Sequence, residues 1–258
     1  MYTMEKYKVK SPDDNEKFVV TDAYHKLYHV FQDLKTDKGR FIHVIGAPGT
    51  GKSANIYHVL SDLNLNVYDA RLFLDNVEKS SKEVFKDSFK TIKSDLGAET
   101  KKEVYEKVSE YDVILFADKF LDSEFLDPQK VGLSKWMDYK GIKSIPFYFM
   151  SYLEYLKHKK ELKNTNIILQ HSWMIKKYDL LTDFGLLSKA IVAILNLSFE
   201  VVEISYSQAE TIEIVKSHIK DVDEDTVKLY IQKYGCKPRF ILEDLKMMQF
   251  GSSKGSEY

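Results

Sequence analysis

The sequence predicts an α/β protein, in which a three-layer α/β/α domain surrounds a mainly parallel five-stranded sheet and a small all-α lid follows. Three observations predict this fold. Apolar strand-like segments alternate with helical segments as far as residue 205, the pattern of a parallel sheet covered by helices on both faces. One early strand runs into a glycine-rich loop and then a helix. From residue 206 the pattern is purely helical.

The elements follow from these patterns in order. Apolar runs bounded by polar residues predict strands at 41–45, 65–70, 112–118, 166–172 and 199–205. Helical spacing and capping residues predict helices at 23–34, 53–63, 208–219 and 223–234, one or two interrupted near Gly97 within 80–110, and one from 238 to about 250. Segment 173–197 is predicted as a loop and a helix. Residues 1–17 are predicted as a charged lead-in, 18–205 as the α/β domain, 206–250 as the lid and 251–258 as a flexible tail.

Residues 46–53, GAPGTGKS, fit the phosphate-loop pattern GxxxxGK[ST] at every fixed position. We expect Gly46, Gly49 and Gly51 to let the backbone turn so that its N–H groups point into one concavity. Lys52 then supplies a point charge to the β- and γ-phosphates, and the Ser53 hydroxyl is placed to bind Mg²⁺. The loop therefore predicts a site for a nucleoside triphosphate with magnesium.

A carboxylate stands at the end of another core strand. Segment 112–118 is continuously apolar after its first residue until it ends at Asp118. Parallel strands end at one edge of the sheet, where ligands of α/β proteins bind. Asp118 is therefore a second candidate for the functional site, beside the glycine-rich loop.

Composition limits the classes of partner. The chain has 258 residues, 44% of them hydrophobic, and a formal net charge of −1. This balance provides no global field for nucleic acid or an anionic membrane. No apolar run approaches the ~20 residues of a membrane span, and the start of the chain is too charged for a secretory signal, so a cytoplasmic location is expected. The single cysteine, Cys236, allows no internal disulfide and no thiolate metal cluster.

The order of these parts resembles the AAA+ ATPase superfamily over roughly residues 18–250. GAPGTGKS corresponds to Walker A, ILFAD to the Walker B strand, NIILQHS to the sensor 1 position and YGCKPRF to sensor 2 in the lid. The last motif is the most discriminating, because many phosphate-loop proteins share the first two. The resemblance implies an α/β nucleotide-binding domain with a helical lid that binds ATP or ADP with Mg²⁺.

The resemblance also implies roles for individual residues. Lys52, Asp118, Gln170 and Arg239 would act on the phosphates and the metal, with Asp118 holding the Mg²⁺ shell through water beside Ser53. Sensor 1 falls on Gln170, His171 or Ser172, and the first is favoured because it directly follows the apolar strand. The residues implied to contact the nucleotide are Gly46, Ala47, Pro48, Gly49, Thr50, Gly51, Lys52, Ser53, Ala54, Val19, Val20, Pro238 and Arg239.

Two positions depart from the family pattern where it concerns hydrolysis. The Walker B aspartate is normally followed by a glutamate that polarises water, but Lys119 stands there. A charged lysine cannot accept a proton. The family normally donates an arginine finger from the segment that corresponds to residues 182–197, but the only basic residue there is Lys189. Such a finger raises the rate by roughly 10³ to 10⁵. We therefore expect slow intrinsic hydrolysis.

Three functions remain open at this point. The first is an ATP·Mg²⁺ switch in which lid closure changes binding to a protein partner, to another copy or to a substrate that it remodels. The second is a phosphate-loop kinase acting on a small molecule, although no acceptor motif is visible. The third is a DNA-associated loader of the Orc/Cdc6 type, for which the near-neutral charge offers no basic footprint.

Overall fold

A computed structural model describes residues 17–47, 49–69, 81–117, 145–172, 175–177, 180–182, 186–197 and 199–252. The described helices are α1 (Asp22–Phe31), α2 (Lys52–Asp62), α3 (Ser81–Leu96), α4 (Lys101–Glu110), α5 (Ile145–Lys157), α6 (Leu186–Leu195), α7 (Gln208–His218), α8 (Glu224–Tyr234) and α9 (Pro238–Ser252). The strands are β1 (Phe41–Gly46), β2 (Val67–Asp69), β3 (Ile114–Ala117), β4 (Ile167–Ser172), β5 (Ile175–Lys177), β6 (Leu180–Thr182) and β7 (Glu200–Glu203). Two 3₁₀ segments span Gln32–Lys35 and Glu161–Asn164. None of the described helices combines the length and apolar character needed to cross a membrane.

Five strands form one parallel sheet in the order β2-β3-β4-β1-β7, which confirms the predicted sheet. All six residues of β1 are buried, because neighbouring strands flank it and helices cover both faces. Gly46 is level with Ser172 of β4, and Ile45 is level with Glu203 of β7. The carboxyl ends of three adjacent strands therefore meet at one edge, where the glycine-rich loop begins.

Successive strand residues enter different cores, because side chains alternate across a sheet. Ile114 and Ile168 pack in a cluster that includes residues of α1 and α2. Their neighbours Leu115 and Ile167 pack against a second cluster, built mainly by α3 and α4. Helices thus cover both faces, and the three-layer arrangement is confirmed.

The three helices of the lid share a small apolar cluster of their own. Its buried members are Val215, Ile219, Val227, Ile241 and Leu245. A capping box between Ser207 and Glu210 starts α7, and the Asp223 side chain caps α8. The predicted boundary between the domain and the lid at 205/206 stays a prediction.

The segment 173–197 differs from the predicted loop and helix. It contains α6, but it also contains β5 and β6, which pair antiparallel with Ile175 opposite Thr182. Strands of three residues offer too few positions for alternation to be recognised in a sequence. β6 contacts lid helix α8, so this hairpin reaches from the end of β4 toward the lid.

Candidate nucleotide-binding site

The glycine-rich loop begins beside the backbone that continues β7, the strand parallel to β1. Ile204, just beyond β7, donates its N–H to the carbonyl of Ile45 at 2.8 Å. A Cβ at Gly46 would lie 2.6 Å from the Ile204 carbonyl oxygen. Gly46 is not among the glycines with positive φ, so its backbone conformation does not itself require glycine. Glycine is needed here because two backbones approach closely.

The turn itself is made by the other two glycines of the motif. Gly49 has φ +83° and Gly51 has φ +64°, values that favour glycine. The Thr50 hydroxyl donates to the Ala47 carbonyl at 2.8 Å and holds the loop against its own start. Pro48, also predicted as a contact, lies outside the described residues.

The loop leads directly into the amino end of α2. Gly51 is the N-cap residue, and it has no side chain that could cap the first turn. The first amides of a helix have no partner within the helix, and the helix dipole is positive at this end. This end of α2, which includes Ser53 and Ala54, is therefore suited to hold an anion.

Lys52 lies inside the loop rather than on the surface. The residue is 4% exposed, and its Nζ donates to the carbonyls of Gly46 at 3.1 Å and Ala47 at 2.8 Å. The loop backbone thus already holds the ammonium group where the motif requires a cation. A phosphate entering the concavity would replace one or both carbonyls as its acceptor.

Ser53 and Gln170 meet across the carboxyl edge of the sheet. The Gln170 side chain lies on β4, is buried, and donates from Nε2 to Ser53 Oγ at 3.1 Å. The structure therefore brings the expected magnesium hydroxyl beside the favoured sensor 1 candidate. The side chains of His171 and Ser172 lie outside the described residues.

The lid rests directly on the loop. The Phe240 ring lies 3.3 Å from where a Cβ on Gly49 would stand, and the Arg239 N–H points to the Gly49 carbonyl at 3.4 Å. Pro238 is buried beside them. The Arg239 guanidinium instead donates from Nε to Glu243 at 2.9 Å. The backbone of the predicted sensor 2 position is at the loop, while its charged group is paired at the surface.

Residues 17–22 run between α1 and lid helix α7. Ser217 of α7 donates its hydroxyl to the Lys17 carbonyl at 3.3 Å, and the Phe18 ring stacks on His58 of α2 at 3.7 Å. Val20 is 56% exposed and Val19 is half-buried. The expected base-contacting residues thus lie at the seam between core and lid, where apolar surface is open.

One carboxylate joins this segment to the lid. Glu210 accepts the N–H of Ser207 at 2.7 Å and that of Asp22 at 2.9 Å, so it caps α7 and binds the first residue of α1. Partial burial by itself raises the pKa of Glu210, but the hydrogen bonds from Ser207 and Asp22 and the charge of Lys26 outweigh it and lower the pKa. The carboxylate therefore stays ionised and fixes one side of the lid.

Comparison with known proteins gave matches of structure only. No family model and no curated protein matches the chain. AMPPCP-bound DnaA from Aquifex aeolicus has 16% sequence identity and a TM-score of 0.45, over 94% of this chain and 66% of that one. Drosophila ORC bound to DNA has 12% identity and a TM-score of 0.46, over 92% of this chain and 57% of that one. The chain spans less than two thirds of either.

The architecture decides the class of fold. A phosphate loop leaves an inner strand of a five-stranded parallel sheet, and a three-helix lid sets its last helix on that loop. This is the arrangement that the sequence resemblance to the AAA+ superfamily implies. Ser53 lies in the first turn of α2, whereas Asp118, which follows Ala117 at the end of β3, lies outside the described residues. The magnesium pair of Ser53 and Asp118 stays a prediction.

Sequence reasoning missed two residues that support the loop from behind. Asn55, in the first turn of α2, is fully buried and donates from Nδ2 to the Gly51 carbonyl at 2.9 Å. The same nitrogen donates to the Tyr206 hydroxyl at 2.6 Å. Burial raises the pKa of Tyr206 to about 12, so the phenol is neutral at pH 7. A polar residue at the third position after the motif lysine was the one available signal for Asn55.

Proposed function

We propose that this chain binds ATP or ADP with Mg²⁺ in the concavity between the glycine-rich loop and the lid, and uses lid closure as a switch. The observation that carries the proposal is the position of Lys52. Its ammonium group is buried against two loop carbonyls at the start of a helix without a side-chain cap. A cation and uncapped amides converging on one small space suit a polyphosphate.

Each residue has one task in this proposal. The loop amides and Lys52 hold the β- and γ-phosphates, and the Ser53 hydroxyl binds the metal together with Asp118. Mg²⁺ held by Ser53 and Asp118 would supply positive charge against the phosphates. Gln170, which donates to Ser53 Oγ, orients that hydroxyl and is the candidate to sense the γ-phosphate.

The lid supplies the remaining contacts. Arg239 leaves Glu243 and reaches the γ-phosphate, which ADP lacks. Exposed surface ion pairs contribute only about 0 to 1 kcal/mol, and the side chains of Arg239 and Glu243 are 69% and 52% exposed, so this exchange costs little. The base packs on the open apolar surface of Val19 and Val20 beneath α7. ATP thereby favours a closed lid more than ADP does.

Turnover is proposed to be slow. Lys119 stands where a water-polarising glutamate is expected, and the only basic residue in α6 is Lys189, which cannot form the planar bidentate contact of an arginine finger. Phosphate release by the isolated chain should stay far below ~1 s⁻¹. The energy of ATP binding, rather than rapid hydrolysis, then sets the state of the lid and its binding to a protein partner or to another copy of the chain.

Isothermal titration with ATP and Mg²⁺ tests the nucleotide site. We expect saturable binding by the natural chain and at least about a 100-fold loss in Lys52→Ala, because charge-assisted hydrogen bonds to phosphate are lost. Lys90→Ala, which removes an exposed lysine of α3, is the matched control and should bind normally. Equal affinity in Lys52→Ala would show that the loop is not the phosphate site.

A further inference from the structure

Tyr206 occupies the connection between the sheet and the lid. It lies between Ile204, which is bonded to β1, and Ser207, the N-cap of α7. Its ring packs against the main core, and its hydroxyl would lie 2.5 Å from a Cβ on Gly51. The Tyr206 hydroxyl therefore contacts Gly51, the N-cap residue of α2.

Asn55 passes this contact to the loop. Its Nδ2 donates both to the Tyr206 hydroxyl at 2.6 Å and to the Gly51 carbonyl at 2.9 Å. The Gly51 carbonyl and the Lys52 N–H belong to the same planar peptide group. Asn55 holds this peptide group twice, through its side chain and through its backbone N–H, which donates to the same carbonyl at 3.0 Å. Movement of the Gly51–Lys52 peptide group on ligand binding would therefore disturb the Asn55 side chain.

The pair also has a second arrangement available. Among the described residues, the buried Asn55 Oδ1 has no hydrogen-bond partner, and a buried acceptor left in this way costs about 1 to 3 kcal/mol. Tyr206 is neutral, so its O–H can donate. Rotation of the Asn55 amide would give Oδ1 that donor and release the Gly51 carbonyl from Nδ2. This second state requires the Gly51 carbonyl to move away, because Oδ1 and that carbonyl oxygen are both acceptors, so a ligand that moves the peptide group can bias the pair toward it.

We propose that Asn55 and Tyr206 are positioning residues that couple phosphate binding at the loop to the orientation of the lid. The proposal rests on the proposed nucleotide function and adds its route of coupling. The route is short: the Gly51–Lys52 peptide group, the Asn55 amide, the Tyr206 hydroxyl, and then α7 one residue later. Glu210 also anchors the lid, through its hydrogen bond from Asp22 of α1. That contact does not include the Gly51–Lys52 peptide group.

Hydrogen–deuterium exchange with and without the non-hydrolysable analogue AMPPNP and Mg²⁺ tests the coupling. In the natural chain we expect slower exchange in both the loop with α2 and the lid helices. Tyr206→Phe should retain loop protection and lose at least about half of the lid protection, since it removes one hydroxyl and preserves the ring. Tyr230→Phe is the matched control, because that lid hydroxyl contacts the Met248 sulfur at 3.1 Å and should not affect coupling.

A double-mutant cycle separates coupling from general loosening. Asn55→Ala should reduce ligand-induced lid protection as Tyr206→Phe does, and the double variant should be no worse than the stronger single variant. Natural lid protection in Tyr206→Phe would overturn the proposal, as would additive effects in the cycle or simultaneous loss of loop protection in Tyr206→Phe. A natural chain without loop protection would instead place the failure in nucleotide binding.

Discussion

The two basic side chains expected to bind phosphate lie in very different surroundings. Lys52 is 4% exposed and bonded to two loop carbonyls, with β1 fully buried behind it. The Arg239 side chain is 69% exposed and paired with the exposed Glu243. In the proposed site both side chains exchange a protein partner for phosphate, but Lys52, in the core half, does so in place inside the loop, whereas Arg239, in the lid half, must leave Glu243 at the surface. Affinity should depend on the core half, and discrimination between nucleotides on the lid half.

The largest effect should come from altering the core half at Gly51. Gly51→Ala places a Cβ at φ +64° and 2.5 Å from the Tyr206 hydroxyl, and strain plus overpacking should cost about 2 to 5 kcal/mol. Nucleotide binding should fall below detection in titration. Gly97→Ala is the matched control, because Gly97 has φ +56° but its Cβ would meet only the end of Lys107 at 4.0 Å. A Gly51→Ala protein no less stable than Gly97→Ala would contradict the close approach.

Acid should destabilise the α/β domain, which contains His43, before it destabilises the lid. Burial lowers the pKa of His43 on β1 to about 4, against about 6.5 in an unfolded chain. The unfolded state binds the extra proton between these values, so stability falls as pH drops from about 6.5 to 4, by at most about 3 kcal/mol. Hydrogen bonds from Tyr234 and Lys233 lower the pKa of Asp244 in the lid. Carboxylates of this kind keep their stabilising charge throughout this window.

Melting temperatures of the natural chain and His43→Leu at pH 7 and pH 5 check this prediction. The variant should show a flatter dependence over this range, because no buried imidazole remains to be protonated. Identical slopes for the two proteins would mean that His43 does not limit acid stability.

Changing the lid half at Arg239 should affect one nucleotide only. Arg239→Ala should weaken ATP binding about tenfold, the scale of one charge-assisted hydrogen bond, and leave ADP binding unchanged. Arg239→Lys, which keeps the charge without the planar fork, should fall between. Parallel titrations with ATP and ADP provide the measurement, and an equal loss for both nucleotides would remove Arg239 from the γ-phosphate.

The smallest effect is expected at the competing carboxylate. Glu243→Gln frees Arg239 from its surface pair and should raise ATP affinity about twofold, since such pairs contribute little. Glu213→Gln alters another exposed carboxylate, on lid helix α7, and serves as the control. If ATP affinity falls in Glu243→Gln, the carboxylate supports the bound state rather than competing with it.

The sequence predicts the parts of this site that are local in the chain. The loop pattern, the buried strand before it and the helix after it lie within residues 41–62, and helical spacing also places Glu243 within reach of Arg239. Contacts between distant segments were not predictable. Asn55 and Tyr206 are 151 residues apart, and no periodicity encodes such a pair. The close approach at Gly46 and the hairpin of β5 and β6 likewise depend on tertiary packing.

A crystal structure with a non-hydrolysable ATP analogue and Mg²⁺ tests the central claim most directly, through the partners of Lys52 Nζ. The account predicts that Nζ lies within hydrogen-bonding distance of a phosphate oxygen and has given up at least one of its bonds to Gly46 and Ala47. An analogue bound elsewhere, with both carbonyl bonds kept at 3.1 and 2.8 Å, would contradict it.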